Sequence, residues 1–126
     1  MNAALMARLI AAGRIGFGVA LLVAPGRATS LWLGGDAGRP GTRVVTRGLG
    51  ARDLALGAGA LAAADSQLRP WVTAGVVADT ADLVATVAAG KSLPRTGRVV
   101  VGAVAFGGAV LGTIALAALR RGSPRS

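Results

Sequence analysis

Four long apolar stretches, separated by short polar segments, form the hydrophobic pattern of this chain. They cover residues 3–24, 44–64, 71–89 and 99–119, and each is close to the ~20 residues with which a helix crosses the hydrocarbon layer of a membrane. Short connections between such stretches are typical of antiparallel neighbouring helices. The pattern therefore predicts an all-α protein, an integral membrane four-helix up-down bundle in which residues 1–126 form a single domain.

The longest polar connection, residues 25–43, is predicted to be a loop. It begins with Pro25-Gly26, a pair typical of the end of a helix. Within it, Leu31-Trp32-Leu33 is a short apolar patch that we expect at the membrane–water interface, where Trp side chains are favoured.

Composition supports the membrane interpretation. Mean hydropathy is +0.62 and 53% of the residues are apolar, which is too apolar for an ordinary soluble protein of 126 residues. Aromatic residues make up only 3%, whereas Gly numbers 20. Small residues at helix contacts are what membrane bundles use to bring backbones close together.

The missing residue types narrow the chemistry. The chain has no Cys and no His, which excludes disulfides, thiolate and imidazole metal ligands, and imidazole acid–base catalysis. It also has no Glu and no Tyr, so Asp carboxylates are the remaining acids or bases near neutral pH. We predict neither a metal site nor a cofactor.

The net charge of +9 raises the question of nucleic-acid binding. The basic residues form no continuous stripe, and almost no aromatic residues are interleaved for base stacking. Basic residues at the ends of apolar stretches are better explained by anionic lipid headgroups. We therefore expect a lipid bilayer as partner, and no nucleic acid.

Charged residues near the centres of the first three stretches are the most informative feature of the chain. They are Arg14, Arg52, Asp53, Asp79 and Asp82. A charge at the bilayer centre costs at least ~2.5–3.5 kcal/mol on insertion scales, so such residues usually mark a functional site. The shared depth predicts that they meet as a polar cluster between the helices.

The aspartates are the candidate catalytic residues of this cluster. Asp79 and Asp82 are three positions apart and share a helix face. Two carboxylates so close in a low dielectric do not both ionise easily, so one is expected to hold a proton near neutral pH. We predict Asp79 or Asp82 as proton donor and Asp53 as the partner base.

The arginines are the candidate substrate-binding or charge-stabilising residues. A guanidinium group at Arg52 or Arg14 can stabilise the conjugate base of a proton donor or hold an anionic substrate group with two parallel hydrogen bonds. Arg47 is closer to the membrane surface, where its side chain could extend to the interface or reach into the cluster.

The cluster is compatible with three kinds of function. It could be an acid–base site acting on a lipophilic small molecule, a site for proton-coupled transport, or a salt-bridge network that fixes helix pairing and register. The first is our leading hypothesis: a cyclase or isomerase that protonates an isoprenoid-like substrate. Membrane-bound terpene cyclases offer an analogy of chemistry, against which stand the short chain and its few aromatic residues, Phe17, Trp32, Trp71 and Phe106.

Two segments carry a resemblance to a known group of proteins. The stretch RGLGARDLALG at 47–57, with GRIGFGVALLVAP at 13–25, resembles a family of small uncharacterised four-helix bacterial membrane proteins and is more loosely similar to the DoxX-like group. The resemblance implies a four-helix multi-pass protein of the bacterial cell membrane and supplies no active site. Because small bundles rarely bury all their polar faces alone, we also expect a homo-oligomer.

Overall fold

The computed structural model describes residues 2–121, and these residues are almost entirely helical. The described part contains five α-helices, which are α1 (Ala3–Val23), α2 (Pro25–Leu33), α3 (Pro40–Ala62), α4 (Leu68–Ala89) and α5 (Arg95–Arg121). Short 3-10 turns at Gly34–Gly38, Asp65–Gln67 and Gly90–Ser92 lie between them. The all-α prediction is confirmed, and the predicted four-helix bundle is wrong because a fifth helix is present.

The additional helix, α2, occupies the first half of the predicted loop. Pro25 does not only end α1: it is also the first residue of α2, a position where its missing N–H is no loss and its fixed φ suits a helix. The break between the two helices falls on Ala24, with φ −131° and ψ 59°. Gly34, at φ +58°, ends α2 in a conformation that favours glycine.

Helices α1 and α3 are antiparallel, and their backbones touch at glycines. A Cβ added at Gly18 would lie 2.7 Å from the carbonyl oxygen of Gly50. One added at Gly57 would lie 2.6 Å from the carbonyl oxygen of Ala11. Only glycine permits so close an approach, so these positions set the distance between the two helices.

The contact between α1 and α3 extends over nearly their whole length. Arg8, in the second turn of α1, donates a 2.8 Å hydrogen bond to the carbonyl oxygen of Leu61 in the last turn of α3. At the opposite end, Arg47 of α3 donates to the carbonyl oxygen of Leu22 at 3.2 Å. The two helices therefore lie side by side at the same level.

Helices α4 and α5 form a second extensive pair, and α1 contacts both of them. Gly112 of α5 faces Val76 of α4, and Gly108 faces Asp79. At one end of the molecule, an apolar core joins α1, α4 and α5 through Ala4, Ala7, Leu68, Val72 and Ala115. At the other end, α2 packs on the start of α5, where Gly97 leaves room for the backbone of Trp32.

The large apolar side chains lie mainly outside and the small ones inside. The buried core consists mostly of Ala, whereas Phe17, Phe106 and Ile114 are at least half exposed. Within residues 2–121, three helices are long and apolar enough to cross a membrane, namely α1, α4 with its flanking turns (Asp65–Ser92) and α5. An apolar exterior of this extent indicates a membrane protein.

Candidate functional site

Five charged side chains from three helices meet in one hydrogen-bonded network. Arg14 of α1 donates to Asp53 of α3 at 3.1 Å and to Asp79 of α4 at 2.6 Å. Arg52 donates to both oxygens of Asp82, at 3.1 and 2.7 Å, and also to the Oδ1 atom of Asp53. The order of contacts is Asp79–Arg14–Asp53–Arg52–Asp82. We refer to this set as the Arg/Asp network.

The centre of the network is Asp53. Its Oδ1 atom accepts hydrogen bonds from Arg14 Nη1 and from Arg52 Nε and Nη2. The side chain is only 5% exposed, and a carboxylate so deeply buried depends on the charges beside it. Asp53 therefore holds both guanidinium groups in place.

Arg14 is fixed by a third contact. Its Nη2 atom donates to the carbonyl oxygen of Gly75 at 2.9 Å, one helical turn before Asp79. A Cβ at Gly75 would lie 3.1 Å from the same Nη2 atom. Gly75 thus admits the guanidinium group against the backbone of α4 and aims it at Asp79.

Asp79 and Asp82 bind different arginines. Asp79 is paired with Arg14 and Asp82 with Arg52. Arg14 comes from α1 and Arg52 from α3, so each carboxylate joins α4 to a different helix.

The network is closed on one side and partly open on the other. The side chains of Arg14 and Asp79 are 12% and 16% exposed, whereas those of Arg52 and Asp82 are 30% and 28% exposed. The second pair spans from α3 to α4, which contact each other far less than α1 contacts α3. The outer edge of the network therefore reaches the surface between α3 and α4.

The charges of the network do not balance. It contains three carboxylates and two guanidinium groups. Among residues 2–121, no other basic side chain is hydrogen-bonded to these carboxylates. With every group ionised the network carries a charge of −1, so one bound proton makes it neutral.

Arg47 lies outside the network. Its Nε atom donates to the carbonyl oxygen of Leu22, and the residue is exposed near the α2 end of the molecule. Of the two alternatives for this residue, the structure therefore shows the surface position. Its predicted contact with a substrate stays a prediction.

A small cavity adjoins the network between α1, α3, α4 and α5. Its volume is about 20 Å³, which is room for roughly one water molecule. Most of its lining is apolar, and the charged groups at its wall are Arg14 and Asp79. Asp79 is thus the carboxylate of the network that borders this cavity.

A shallow, open apolar groove lies on the outer side of α4 and is lined by this one helix, through Val76, Val77, Thr80, Ala81, Val84 and Ala85. Val76 lines both the groove and the small cavity. Val76 is therefore the residue that the two spaces share.

The sequence could indicate the charged members of the site and not its uncharged ones. Val76, Gly75 and Gly108 shape the space around Asp79, yet nothing in their residue types distinguishes them from other small or apolar positions. Gly75 and Asp79 are one helical turn apart, and this spacing alone is only a weak indication that Gly75 belongs to the site.

Within residues 2–121, no group of three or more Asp side chains is arranged as metal ligands.

Comparisons with protein-family models, with curated proteins and with solved structures find no match to this chain. The resemblance to DoxX-like membrane proteins therefore stays a prediction. The functional interpretation of the Arg/Asp network therefore depends on the geometry described above.

Proposed function

We propose that this chain is a multi-pass protein of a bacterial cell membrane in which α3 also crosses the bilayer. By itself α3 is less apolar than α1, α4 and α5, the three helices that are apolar enough to cross a membrane. It lies beside α1 from Arg8 to Leu22, so a membrane-spanning α1 carries α3 to the same depth. The charges of α3 are then compensated by Arg14 and Asp82 rather than by water.

We further propose that the Arg/Asp network is an intramembrane acid–base site with Asp79 as the proton donor. The observation that supports this best is that the network has three carboxylates and only two guanidinium groups. One bound proton would therefore neutralise it. Asp79 is the carboxylate that adjoins the cavity, and Arg14 stabilises its conjugate base. In this proposal Asp53 holds the two arginines in position. This role differs from that of the partner base, which the sequence predicted for Asp53.

The proposed substrate is a lipophilic, isoprenoid-like alkene that enters from the bilayer. The groove on α4 is shallow and lined by one helix, so it offers a surface along which a hydrocarbon chain can lie. Its apolar lining suits a hydrocarbon chain, and the reacting end would pass Val76 to reach Asp79.

The proposed reaction is isomerisation of a double bond. The Asp79 carboxyl transfers its proton to one alkene carbon, which leaves a carbocation on the neighbouring carbon. Loss of a proton from the next carbon back to Asp79 forms the shifted double bond and restores the acid. Proton transfer leaves the network with its excess negative charge, and this charge stabilises the cation in place of aromatic side chains.

Deuterium incorporation tests the proposal without knowledge of the natural substrate. The protein in lipid nanodiscs is incubated in D₂O with linear prenyl alcohols, and recovered material is analysed by mass spectrometry. We expect carbon-bound deuterium in substrate or isomer with wild type, and a loss of ~10²–10⁴-fold in Asp79→Asn, the range typical of general acid–base catalysis. Asp65→Asn, which removes a surface ion pair with Arg8, is the control and should retain the activity.

Either of two results would contradict the enzyme: wild type that incorporates no deuterium, or Asp79→Asn that incorporates as much as wild type. Asp79→Asn that no longer folds, as measured by thermal unfolding, would instead support a structural network. A loss of activity counts only for variants that keep the wild-type unfolding profile.

Proton-coupled transport is the second candidate, and the position of the network favours it. The five charged residues lie near the middle of α1, α3 and α4, halfway between the two membrane surfaces in the proposed arrangement. A cavity that holds about one water suits a proton better than a large solute. Proton flux into proteoliposomes driven by a cation gradient, abolished by Asp79→Asn, would support transport over isomerisation.

A further inference from the structure

The end of the molecule that contains α2 carries an excess of basic side chains. At this end α1 and α4 end, α3 and α5 begin, and α2 packs on the start of α5. The basic residues of the two segments found there, 24–47 and 90–98, are Arg27, Arg39, Arg43, Arg47, Lys91, Arg95 and Arg98. Asp36 is the one acidic residue in these segments, so their formal side-chain charge is seven minus one, or +6.

The opposite end carries less charge and uses part of it internally. Within residues 2–121 its charged residues are Arg8, Arg69, Arg120, Arg121 and Asp65, which give four minus one, or +3. Arg8 is paired with Asp65 at 2.7 Å and also donates to two carbonyl oxygens near the end of α3. At the α2 end, in contrast, the described chain supplies a single ion pair, that between Arg39 and Asp36. The other basic side chains there have no carboxylate partner among the described residues.

Three of these basic residues belong to one place, the junction between α1 and α2. A Cβ added at Gly26, in the first turn of α2, would lie 3.7 and 3.8 Å from the Nε and Nη2 atoms of Arg43. Arg27 is the next residue of α2. Arg47, one turn after Arg43 in α3, donates to the carbonyl oxygen of Leu22 near the end of α1. All three arginines are exposed, and we call them the arginine cluster.

The arginine cluster lacks a counterion. Like charges at one place repel each other, and no carboxylate of the described chain forms an ion pair with any of the three guanidinium groups. A bound anion would offset this repulsion. Guanidinium groups match phosphate especially well, because their parallel N–H donors reach two oxygens at once.

Large apolar side chains are exposed beside the arginine cluster. Val23 is the last residue of α1, and Val44 and Val45 follow Arg43 in α3. Each of the three valines is at least 65% exposed. Leaving such side chains in water is unfavourable, whereas hydrocarbon chains can cover them. A ligand that suits both the arginines and the valines combines a negative charge with a hydrocarbon chain.

We propose that the arginine cluster is a binding site for an anionic phospholipid. Its phosphate contacts the guanidinium groups, and its acyl chains lie along Val23, Val44 and Val45. A free phosphate would leave the valines uncovered, and a zwitterionic lipid brings no net charge to offset that of the arginines. The sequence indicated only a lipid bilayer as partner, whereas the cluster specifies a headgroup charge and a place. The proposal depends on the membrane location of the chain and not on the acid–base role of Asp79.

Native mass spectrometry of the detergent-solubilised protein tests the site by counting bound lipid molecules. The probes are phosphatidylglycerol and phosphatidylcholine with identical acyl chains, and we expect wild type to bind phosphatidylglycerol more tightly. The double variant Arg27→Gln/Arg43→Gln should lose about 25-fold in that affinity, or about fivefold for each basic residue near an anionic lipid surface. Neither side chain donates a hydrogen bond within the described chain, so the variant removes no internal hydrogen bond. Arg69→Gln removes an exposed charge at the opposite end and is the control, which should keep the wild-type affinity.

Three outcomes would overturn the proposal. They are equal affinities of wild type for the two lipids, equal losses in the double variant and in Arg69→Gln, and displacement of the bound lipid by inorganic phosphate at the same concentration, which would show a site for free phosphate. Release of the chain from membranes by a carbonate wash would overturn the membrane location itself, and the deuterium assay reports separately on Asp79.

A second measurement avoids detergent. Spin-labelled phosphatidylglycerol and phosphatidylcholine are each incorporated into proteoliposomes, and electron paramagnetic resonance measures the fraction of lipid whose motion the protein restricts. We expect a larger fraction for phosphatidylglycerol with wild type and with Arg69→Gln, and equal fractions of the two lipids with Arg27→Gln/Arg43→Gln. A preference that survives in the double variant would contradict the site.

Discussion

The Asp79 carboxylate lies directly against the backbone of Gly108, in the space that a Cβ at Gly108 would fill. The pair joins α4 to α5 at the level of the Arg/Asp network. Gly108 is therefore a positioning residue, because its missing side chain lets Asp79 stand where Arg14 can reach it.

Gly108→Ala should displace Asp79 and weaken its bond to Arg14. We expect a loss of ~1–3 kcal/mol in the free energy of unfolding, the usual cost of overpacking, together with reduced deuterium exchange. Gly107→Ala is the matched control, since a Cβ there meets nothing within 4 Å. Denaturant unfolding in mild detergent measures both variants, and equal stabilities would contradict the close contact.

Asp53→Asn should be the most damaging neutralisation in the chain. It leaves Arg14 and Arg52 buried without the carboxylate that they share, and breaking a buried ion pair costs ~3–5 kcal/mol. Asp36→Asn removes only an exposed pair with Arg39 and should have little effect. The midpoints of thermal unfolding distinguish the two, and similar midpoints would mean that Asp53 does not organise the network.

The contact between Gly18 and Gly50 predicts an asymmetry between two glycines of α1. Gly18→Ala places a methyl group 2.7 Å from a carbonyl oxygen of α3 and should destabilise the protein by ~1–3 kcal/mol. Gly16→Ala meets nothing within 4 Å and should stabilise it by up to ~1 kcal/mol through helix propensity. A chemical-denaturation series would refute the packing if both substitutions had the same sign.

Two buried threonines should respond in opposite ways to replacement by valine. Within the described residues the Thr86 hydroxyl has no hydrogen-bond partner, so Thr86→Val should be neutral or stabilising by ~1 kcal/mol. The Thr29 hydroxyl donates to the carbonyl oxygen of Pro25 at 2.7 Å, so Thr29→Val should be destabilising by ~1 kcal/mol. Calorimetry of the two variants tests the difference in sign.

The membership of the network could be predicted from depth alone, because charge at the centre of an apolar stretch is informative without any knowledge of helix rotation. The pairing of its members could not. Which arginine meets Asp79 depends on how α1 and α4 rotate, and close approaches at Gly18, Gly50 and Gly75 fix that rotation. Glycine contacts of this kind involve two helices at once, so the sequence of one segment does not identify the residue that its glycine contacts.

The short helix α2 was missed for a similar reason. Pro25 follows the end of one helix and begins the next, and a proline in the sequence is compatible with either event.

The position of Arg47 could not be predicted because it depends on where α3 begins. Pro40 starts that helix four residues before the expected Val44.

The order of the charges along the chain has a consequence for biogenesis. Helices α1 and α3 are synthesised first and carry Arg14, Arg52 and Asp53, which together have one surplus positive charge. The next helix to emerge from the ribosome, α4, carries Asp79 and Asp82 and reverses the sign of that surplus. We therefore expect the two arginines of the network to be translated, with α1 and α3, before the aspartates of α4 that pair with them.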